Sequence, residues 1–167
     1  MARTTPRVTS WSVAPGSLAY PLVIAHRGCS GVAPENTLEA FRSALEVGAD
    51  GVELDVRLTR DGEVVVIHDR RMERTTTGKG PIGATILAEA RTLDAGSWFD
   101  PRFKSAREPT LREVFEELPR QFLIDVEIKA NGHGAWPLVS RVVSLVRSYD
   151  RLESTLVASF NPVALWA

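Results

Sequence analysis

The sequence predicts an α/β protein with a mostly parallel β-sheet. Short apolar runs of β-type composition alternate along the 167-residue chain with segments of helical periodicity. Such alternation is typical of sheets whose parallel strands are connected by helices. Polar residues follow several apolar runs directly, and none of these runs leads directly into a G-x-G-x-x-G or Walker sequence; the G-x-G-x-x-G match at 78–83 lies inside a long polar stretch. Because a doubly wound sheet usually carries a glycine-rich phosphate loop, a (β/α)₈-type barrel is favoured.

Five segments have the composition of strands, and helical segments separate most of them. A turn signal at 59–62 joins the second and third strands; it favours a tight hairpin, and a parallel return is the alternative. Asn36 with Glu39 and Thr110 with Glu113 resemble capping boxes at the starts of two helices. The predicted strands are 22–25, 51–56, 64–67, 122–129 and 156–160, and the predicted helices are about 37–48, 84–91, 110–118, 137–148 and from 161 onwards.

A pair of carboxylates in the second strand is the most informative feature of the chain. Glu53 and Asp55 lie two residues apart in an apolar run, so both side chains point to the same face. Two acids on one face of a buried-looking strand repel each other and lose hydration, which a divalent cation with oxygen ligands would offset. For this pair alone, a half-exposed strand with a solvated acidic face is the alternative.

The same arrangement recurs in the fourth strand, where Asp125, Glu127 and Lys129 share one face. Two of the three histidines, His26 and His68, directly follow the first and third apolar runs. Histidine changes charge near neutral pH and is the most frequent acid–base group in catalysis. A barrel of this type carries its active site at the carboxyl ends of its strands, so these side chains are expected to converge there.

Composition excludes several classes of function. The formal net charge of −1 carries no signal for nucleic acid or an acidic membrane surface. The single cysteine, Cys29, excludes an internal disulfide and a cysteine-based zinc site. No apolar segment is long enough to span a bilayer. Residues 1–20 lack the apolar stretch of a secretory signal, so a flexible lead-in and a cytoplasmic location are expected.

An ordered set of short motifs resembles the glycerophosphodiester phosphodiesterase family, within the phospholipase C-like phosphodiesterase superfamily. Together the motifs follow the family's order over about residues 22–130, and Ser-Phe-Asn at 159–161 extends the likeness. The motifs are His26-Arg27-Gly28, Pro34-Glu35-Asn36-Thr37, Glu53-x-Asp55, Asp61-Gly62, His68-Asp69, Arg74-Thr75-Thr76 and Glu127-x-Lys129.

The resemblance implies a metal-dependent (β/α)₈ enzyme that hydrolyses glycerophosphodiesters to sn-glycerol 3-phosphate and an alcohol. It also implies that residues 70–108, after the third strand, are the insertion that covers the family's site. All-carboxylate ligation suits one Mg²⁺ or Ca²⁺ ion. The implied roles are metal ligation by Glu53, Asp55 and Glu127, acid–base catalysis by His26 and His68, and phosphate binding by Arg27 and Lys129.

The chain is short for this architecture. Barrels of this type need ~250 residues, and 167 residues hold about five of the eight strands. Residues 21–167 are therefore expected to form the N-terminal two-thirds of a barrel, with two unpaired sheet edges that favour self-association. The alternatives are an inactive phosphate-ester-binding fragment, an unstable fragment with no role, or a related phospholipase C- or D-like phosphodiesterase. The Gly-Val-Glu-Leu-Asp and Glu-Ile-Lys strands favour the glycerophosphodiesterase over the last of these.

Overall fold

One mostly parallel sheet organises the structure. The computed structural model describes residues 10–11, 21–130 and 135–166. These residues form the strands β1 (Ile24–His26), β2 (Gly51–Leu58), β3 (Val64–Val66), β4 (Leu123–Ile128) and β5 (Thr155–Ala158). Four of them are parallel neighbours in the order β1-β2-β4-β5, and β3 pairs antiparallel with the end of β2. The predicted sheet is confirmed, and the turn at 59–62 forms the hairpin rather than the parallel return.

Helices connect the parallel strands, as the periodicity predicted. The described residues form α1 (Leu38–Glu46), α2 (Leu87–Ala90), α3 (Leu111–Glu117), α4 (Trp136–Ser148) and α5 (Pro162–Leu165), with 3₁₀ turns at Ile82–Ala84 and Pro101–Phe103. The capping box of Thr110 and Glu113 is present with both reciprocal hydrogen bonds. The box predicted at Asn36 is wrong, because the N-cap of α1 is Thr37, whose hydroxyl accepts from the Ala40 amide.

The two faces of the sheet differ because side chains alternate along each strand. The apolar residues of β2 and β4 pack with α1, α3 and α4 in the main buried core. The alternate positions of the same strands carry acids, and the register pairs Glu53 with Asp125 and Asp55 with Glu127. Parallel pairing therefore sets two rows of carboxylates side by side, on the face opposite the helices.

The segment 70–108, called the insertion below, packs beside β3 with a small core of its own. It covers Val65 and Ile67, the alternate residues that do not belong to the main core. The insertion leads into Pro109 and Thr110, which run along β3: Val65 bridges Thr110, and the Val66 amide donates to the Pro109 carbonyl (2.8 Å). Its own apolar residues in this core are Met72, Ile82 and Ala90, with Leu87 and Leu93 packed against them. The insertion is therefore a packed lobe.

Most of the predicted lead-in lies outside the described residues. Of residues 1–20, Ser10 and Trp11 are described, and the Trp11 indole donates to the Ser154 carbonyl (3.1 Å). Across the described part of the chain, every helix is too short or too polar to cross a bilayer.

Candidate active site

Four carboxylates converge on the face of the sheet opposite the main core. β2 supplies Glu53 and Asp55, and β4 supplies Asp125 and Glu127 at paired positions. One oxygen from each of Glu53, Asp55 and Glu127 lies within 4.8 Å of the others. The fold therefore brings together the three acids that the resemblance implied as metal ligands, and Asp125 lies next to them in the sheet.

Burial and repulsion change the ionisation of this cluster. Burial, and next the charge of Asp55, raise the pKa of Glu53 to about 7. Burial, and next the charge of Glu127, raise the pKa of Asp125. The buried atoms Glu53 Oε1 and Asp55 Oδ1 have no hydrogen-bond partner among the described residues. Of the two, Asp55 Oδ1 has an ion-pair contact, with Lys129 Nζ at 3.2 Å. Desolvated carboxylates with oxygens that lack hydrogen bonds fit a hard divalent cation, which would offset both the repulsion and the lost hydration.

A tight turn after β1 places Arg27 against the acids. Arg27 has a left-handed φ of 56°, followed by Gly28 at 79°. A Cβ at Gly28 would lie 2.7 Å from the α1 backbone, so the turn requires glycine there. The Arg27 backbone N–H donates to Glu53 Oε2 (2.9 Å). The guanidinium lies 3.3 Å from Asp55 and 2.9 Å from Glu35. Arg27 thus offers both a backbone donor and a positive charge to the acidic cluster.

Lys129 follows β4 directly and supplies the second positive charge. Its Nζ lies 2.6 Å from Glu127 Oε1 and 3.2 Å from Asp55 Oδ1. Arg57 of β2 donates from Nη1 to the Lys129 carbonyl and from Nε to the His68 carbonyl, each at 2.9 Å. Arg57 therefore holds together the two segments that carry the predicted lysine and histidine. No local sequence pattern marks Arg57 as a site residue.

The two histidines have different surroundings. His26 ends β1 with 69% of its side chain exposed, and its Nε2 lies 3.8 Å from Glu53 Oε2. His68 follows β3, and its Nδ1 lies 2.7 Å from Asp69 Oδ1. A carboxylate at one ring nitrogen orients the imidazole and directs the other nitrogen to a ligand. His68 therefore has the geometry of an oriented acid–base group. His26 is instead positioned by the pairing of β1 with β2, which places it opposite Glu53.

Arg74 of the insertion links the His68 side of the site to the Arg27 side. It donates to Asp69 Oδ2 (2.7 Å) and forms two hydrogen bonds of 2.8 Å with Glu35. Glu35 also accepts from Arg27. Burial raises the pKa of Glu35, but the guanidiniums of Arg74 and Arg27 outweigh it and lower that pKa overall. The hydrogen bond from Arg74 holds the pKa of Asp69 at about 2. A continuous ion-pair network therefore joins the two halves of the site.

Asn36 is a site residue, although its sequence pattern predicts a helix cap. It is 3% exposed, and its Nδ2 donates to Asp55 Oδ2 (2.9 Å). Its left-handed φ of 59° turns the side chain towards the acids, a conformation that asparagine tolerates better than most residues. The signal was the Asn-Thr pair at 36–37: both are good caps, but one helix end uses one of them.

Known proteins are similar to this chain in both sequence and fold. The model of the glycerophosphoryl diester phosphodiesterase family matches residues 26–166. The chain belongs to this family. A glycerophosphodiester phosphodiesterase of Caldanaerobacter subterraneus subsp. tengcongensis is 46% identical over 146 residues, which are 86% of this chain and 60% of that protein.

Solved structures agree with the family assignment. A glycerophosphodiester phosphodiesterase from Agrobacterium tumefaciens has 40% identity and a TM-score of 0.80, covering 87% of this chain and 60% of that one. An Oleispira antarctica phosphodiesterase, solved in complex with the product sn-glycerol-3-phosphate, has 38% identity and a TM-score of 0.83 at the same coverage. This phosphodiesterase family member therefore has the family's barrel-type α/β fold and spans about 60% of the length of these relatives.

Proposed function

We propose that this chain hydrolyses glycerophosphodiesters to sn-glycerol 3-phosphate and an alcohol, with one divalent cation and two histidines. One observation carries the proposal: oxygens of Glu53, Asp55 and Glu127 lie within 4.8 Å of one another, with Arg27 and Lys129 beside them. The Oleispira relative, solved with sn-glycerol-3-phosphate, supports the substrate class. A phosphodiester is anionic and has a poor alkoxide leaving group, so its hydrolysis needs the charges and proton carriers gathered here.

In the proposed site, Glu53, Asp55 and Glu127 hold the cation. Ligation by carboxylate oxygens suits Mg²⁺ or Ca²⁺ better than zinc. When bound, the cation acts as a Lewis acid on the phosphoryl group. Arg27 and Lys129 contact phosphate oxygens, the first as a planar fork and the second as a compact charge. Both cationic side chains lie beside Asp55. A bound substrate phosphate would therefore interact with Arg27 and Lys129 while these also pair with the metal-binding carboxylates.

His26 and His68 are the proposed acid–base pair. One takes the proton of the nucleophile, either water or the neighbouring glycerol hydroxyl, and the other gives a proton to the leaving alkoxide oxygen. Because Asp69 lies at Nδ1 of His68, Nε2 is the atom that exchanges the proton with the substrate. His26 reaches the same face of the sheet from the end of β1, beside Glu53.

The domain organisation and location belong to the same proposal. Residues 21–167 form the N-terminal two-thirds of a barrel, and the insertion covers the site. The contacts of Arg74 with Glu35 and Asp69 support this cover, because they tie the insertion to both sides of the acidic cluster. The proposed location is the cytoplasm.

Release of sn-glycerol 3-phosphate from glycerophosphocholine tests the proposal. Release is expected with Mg²⁺ or Ca²⁺ and is expected to stop when EDTA removes the metal. Glu53→Gln removes one ligand charge, so a higher metal concentration should be needed for half-maximal rate. Glu89→Gln, at an exposed position of α2, is the matched control and should behave as the parent. Equal release with and without EDTA would exclude a metal-dependent mechanism.

A catalytically inactive phosphate-ester binder is the second candidate. The observation that favours it is the pair of cationic side chains beside the acidic cluster, Arg27 and Lys129, which would bind a phosphate ester without any proton transfer. Its signature would be saturable binding of glycerophosphocholine by calorimetry, strengthened by metal, with no release of product. Product release above that of a His26→Ala/His68→Ala double variant would exclude this candidate.

A further inference from the structure

A buried carboxyl group lies behind His68 and takes no part in the proposed chemistry. Glu108 ends the insertion and is 7% exposed, and neither of its carboxylate oxygens has a hydrogen-bond partner among the described residues. A backbone hydrogen bond fixes the chain next to Glu108: the Val66 amide of β3 donates to the carbonyl of the following residue, Pro109 (2.8 Å). Buried polar groups are normally hydrogen-bonded, so this carboxyl requires a partner.

A cavity of about 10 Å³ lies between Glu108 and His68. That volume is near the minimum that holds one water molecule. Two of the lining groups are titratable besides Glu108, and both have partners elsewhere: Glu35 pairs with Arg27 and Arg74; His68 contacts Asp69. The cavity is lined by Glu35, Asn36, Val66, Ile67, His68, Thr75, Ala95 and Glu108. No lysine or arginine is among them, so no cationic side chain in the lining neutralises Glu108.

The protonation state of Glu108 follows from its burial without a cationic side chain in the cavity lining. Burial alone raises its pKa to about 8. At neutral pH the side chain is therefore a carboxylic acid with one O–H donor and a carbonyl acceptor. The charged residue beside it, Arg107, donates to the carbonyls of Lys104 and Ala106.

We propose that Glu108 is a positioning residue for His68 and acts through one water molecule bound in this cavity. The proposal rests on the proposed acid–base role of His68. The neutral carboxyl donates its proton to the water, and the water contacts the segment that carries the imidazole. When Glu108 ionises it becomes an acceptor only, the water reverses its hydrogen bonds, and a negative charge appears behind the ring. The surroundings of the His68 imidazole at alkaline pH therefore depend on the ionisation of Glu108, at the end of the insertion.

Nitrogen-15 NMR of the imidazole rings in the metal-free chain tests this coupling. The ring signals of His68, identified by their loss in His68→Asn, are followed from acid to alkaline pH. In the parent they should show an inflection near pH 8, the value expected for Glu108. Glu108→Gln keeps the shape and a neutral donor, so its His68 signals should lack that inflection and stay in the low-pH form. Glu89→Gln, an exposed control on α2, should retain it.

A second variant tests the water. Ala95 lines the cavity, and Ala95→Val fills it while leaving the carboxyl in place, so the inflection should disappear. An inflection that persists in this variant overturns the water-mediated route. A parent without an inflection near pH 8, or the same inflection in Glu108→Gln, overturns the role of Glu108. The readout needs no substrate, so absence of hydrolysis would refute the proposed function and leave this result intact.

Discussion

Glu53 is partly buried and Glu108 is buried, and the two carboxyl groups have different surroundings. Burial raises the pKa of both, to about 7 for Glu53 and about 8 for Glu108. Glu53 is also repelled by Asp55 and receives a hydrogen bond from the Arg27 amide. Glu108 has only burial acting on it. A cation suits the first site because several acids share it, whereas a proton suffices for the second.

Glu108 should make the stability of the protein fall with rising pH. Its pKa is about 8 in the folded protein and 4.5 ordinarily, so the folded state holds the proton more tightly. Its stabilising contribution is present in full below pH 4.5 and is lost as pH rises to about 8. Urea unfolding of Glu108→Gln and of the parent should be measured at pH 4.5 and at about pH 8. Between these two pH values, the free energy of unfolding of Glu108→Gln should rise by about 3–5 kcal/mol relative to that of the parent. If the difference in unfolding free energy between the two proteins is the same at both pH values, Glu108 does not ionise in a buried position. The exposed control Glu89→Gln should show no such pH-dependent gain over the parent.

The histidines should matter for rate and little for folding. His26→Ala or His68→Ala should each lower the rate of sn-glycerol 3-phosphate release about 10²–10⁴-fold, because each removes one proton carrier. His26 is largely exposed and His68 partly so, so thermal unfolding by circular dichroism should change little. Full activity in both variants would end the assignment.

The pairing of β2 with β4 is the element that builds the acidic cluster. Six consecutive residue pairs join the strands, from Gly51 with Leu123 to Val56 with Ile128. A Cβ at Gly51 would lie 2.5 Å from the Leu123 carbonyl oxygen and 2.7 Å from its Cβ. Glycine at the start of β2 therefore allows the close approach of β4 that sets the acids side by side.

Gly51→Ala should destabilise the protein by about 1–3 kcal/mol, the usual cost of forcing extra volume into a packed position. Gly31→Ala is the matched control, because a Cβ there meets no atom within 4 Å; it should stay within about 0.5 kcal/mol of the parent. Chemical denaturation of the two variants measures the difference. Equal stability would show that β2 and β4 have room to separate, and the close register would then not depend on glycine.

Local elements were predicted well where one short-range interaction decides them. The Thr110–Glu113 box formed because both reciprocal hydrogen bonds lie within one turn. The predicted helix start at 36–37 is wrong by one residue. The Asn36 side chain does not cap the helix, because its amide donates to Asp55, 19 residues away. A propensity rule ranks caps, but it carries no information on such a distant acceptor.

In the sheet formed by the described residues, β1 and β5 are the edge strands of the parallel order. Large apolar side chains follow β5 without cover, and Phe160 and Trp166 are each 93% exposed. Unpaired strand edges beside apolar surface are sites of association. The exposed set near this edge is Leu156, Phe160, Val163, Leu165 and Trp166.

Self-association of the chain should therefore depend on this surface. Sedimentation velocity should show mass rising with protein concentration, and a Phe160→Ser/Trp166→Ser variant should shift the equilibrium towards monomer. Val47→Ser provides the control, because Val47 is 69% exposed at the end of α1, and it should associate like the parent. A parent that stays monomeric at all concentrations would contradict the edge as an association surface.

The strand faces, the sheet type and the acid-bearing strands followed from the sequence, because side-chain alternation and helix periodicity are local properties of a few residues. The convergence of the acids, the Arg74 network and the cavity behind His68 required the tertiary structure. Arg74 meets Glu35 across 39 residues, and Arg57 meets the Lys129 carbonyl across 72. Such contacts depend on strand order and on how the insertion packs against β3, which no local pattern encodes.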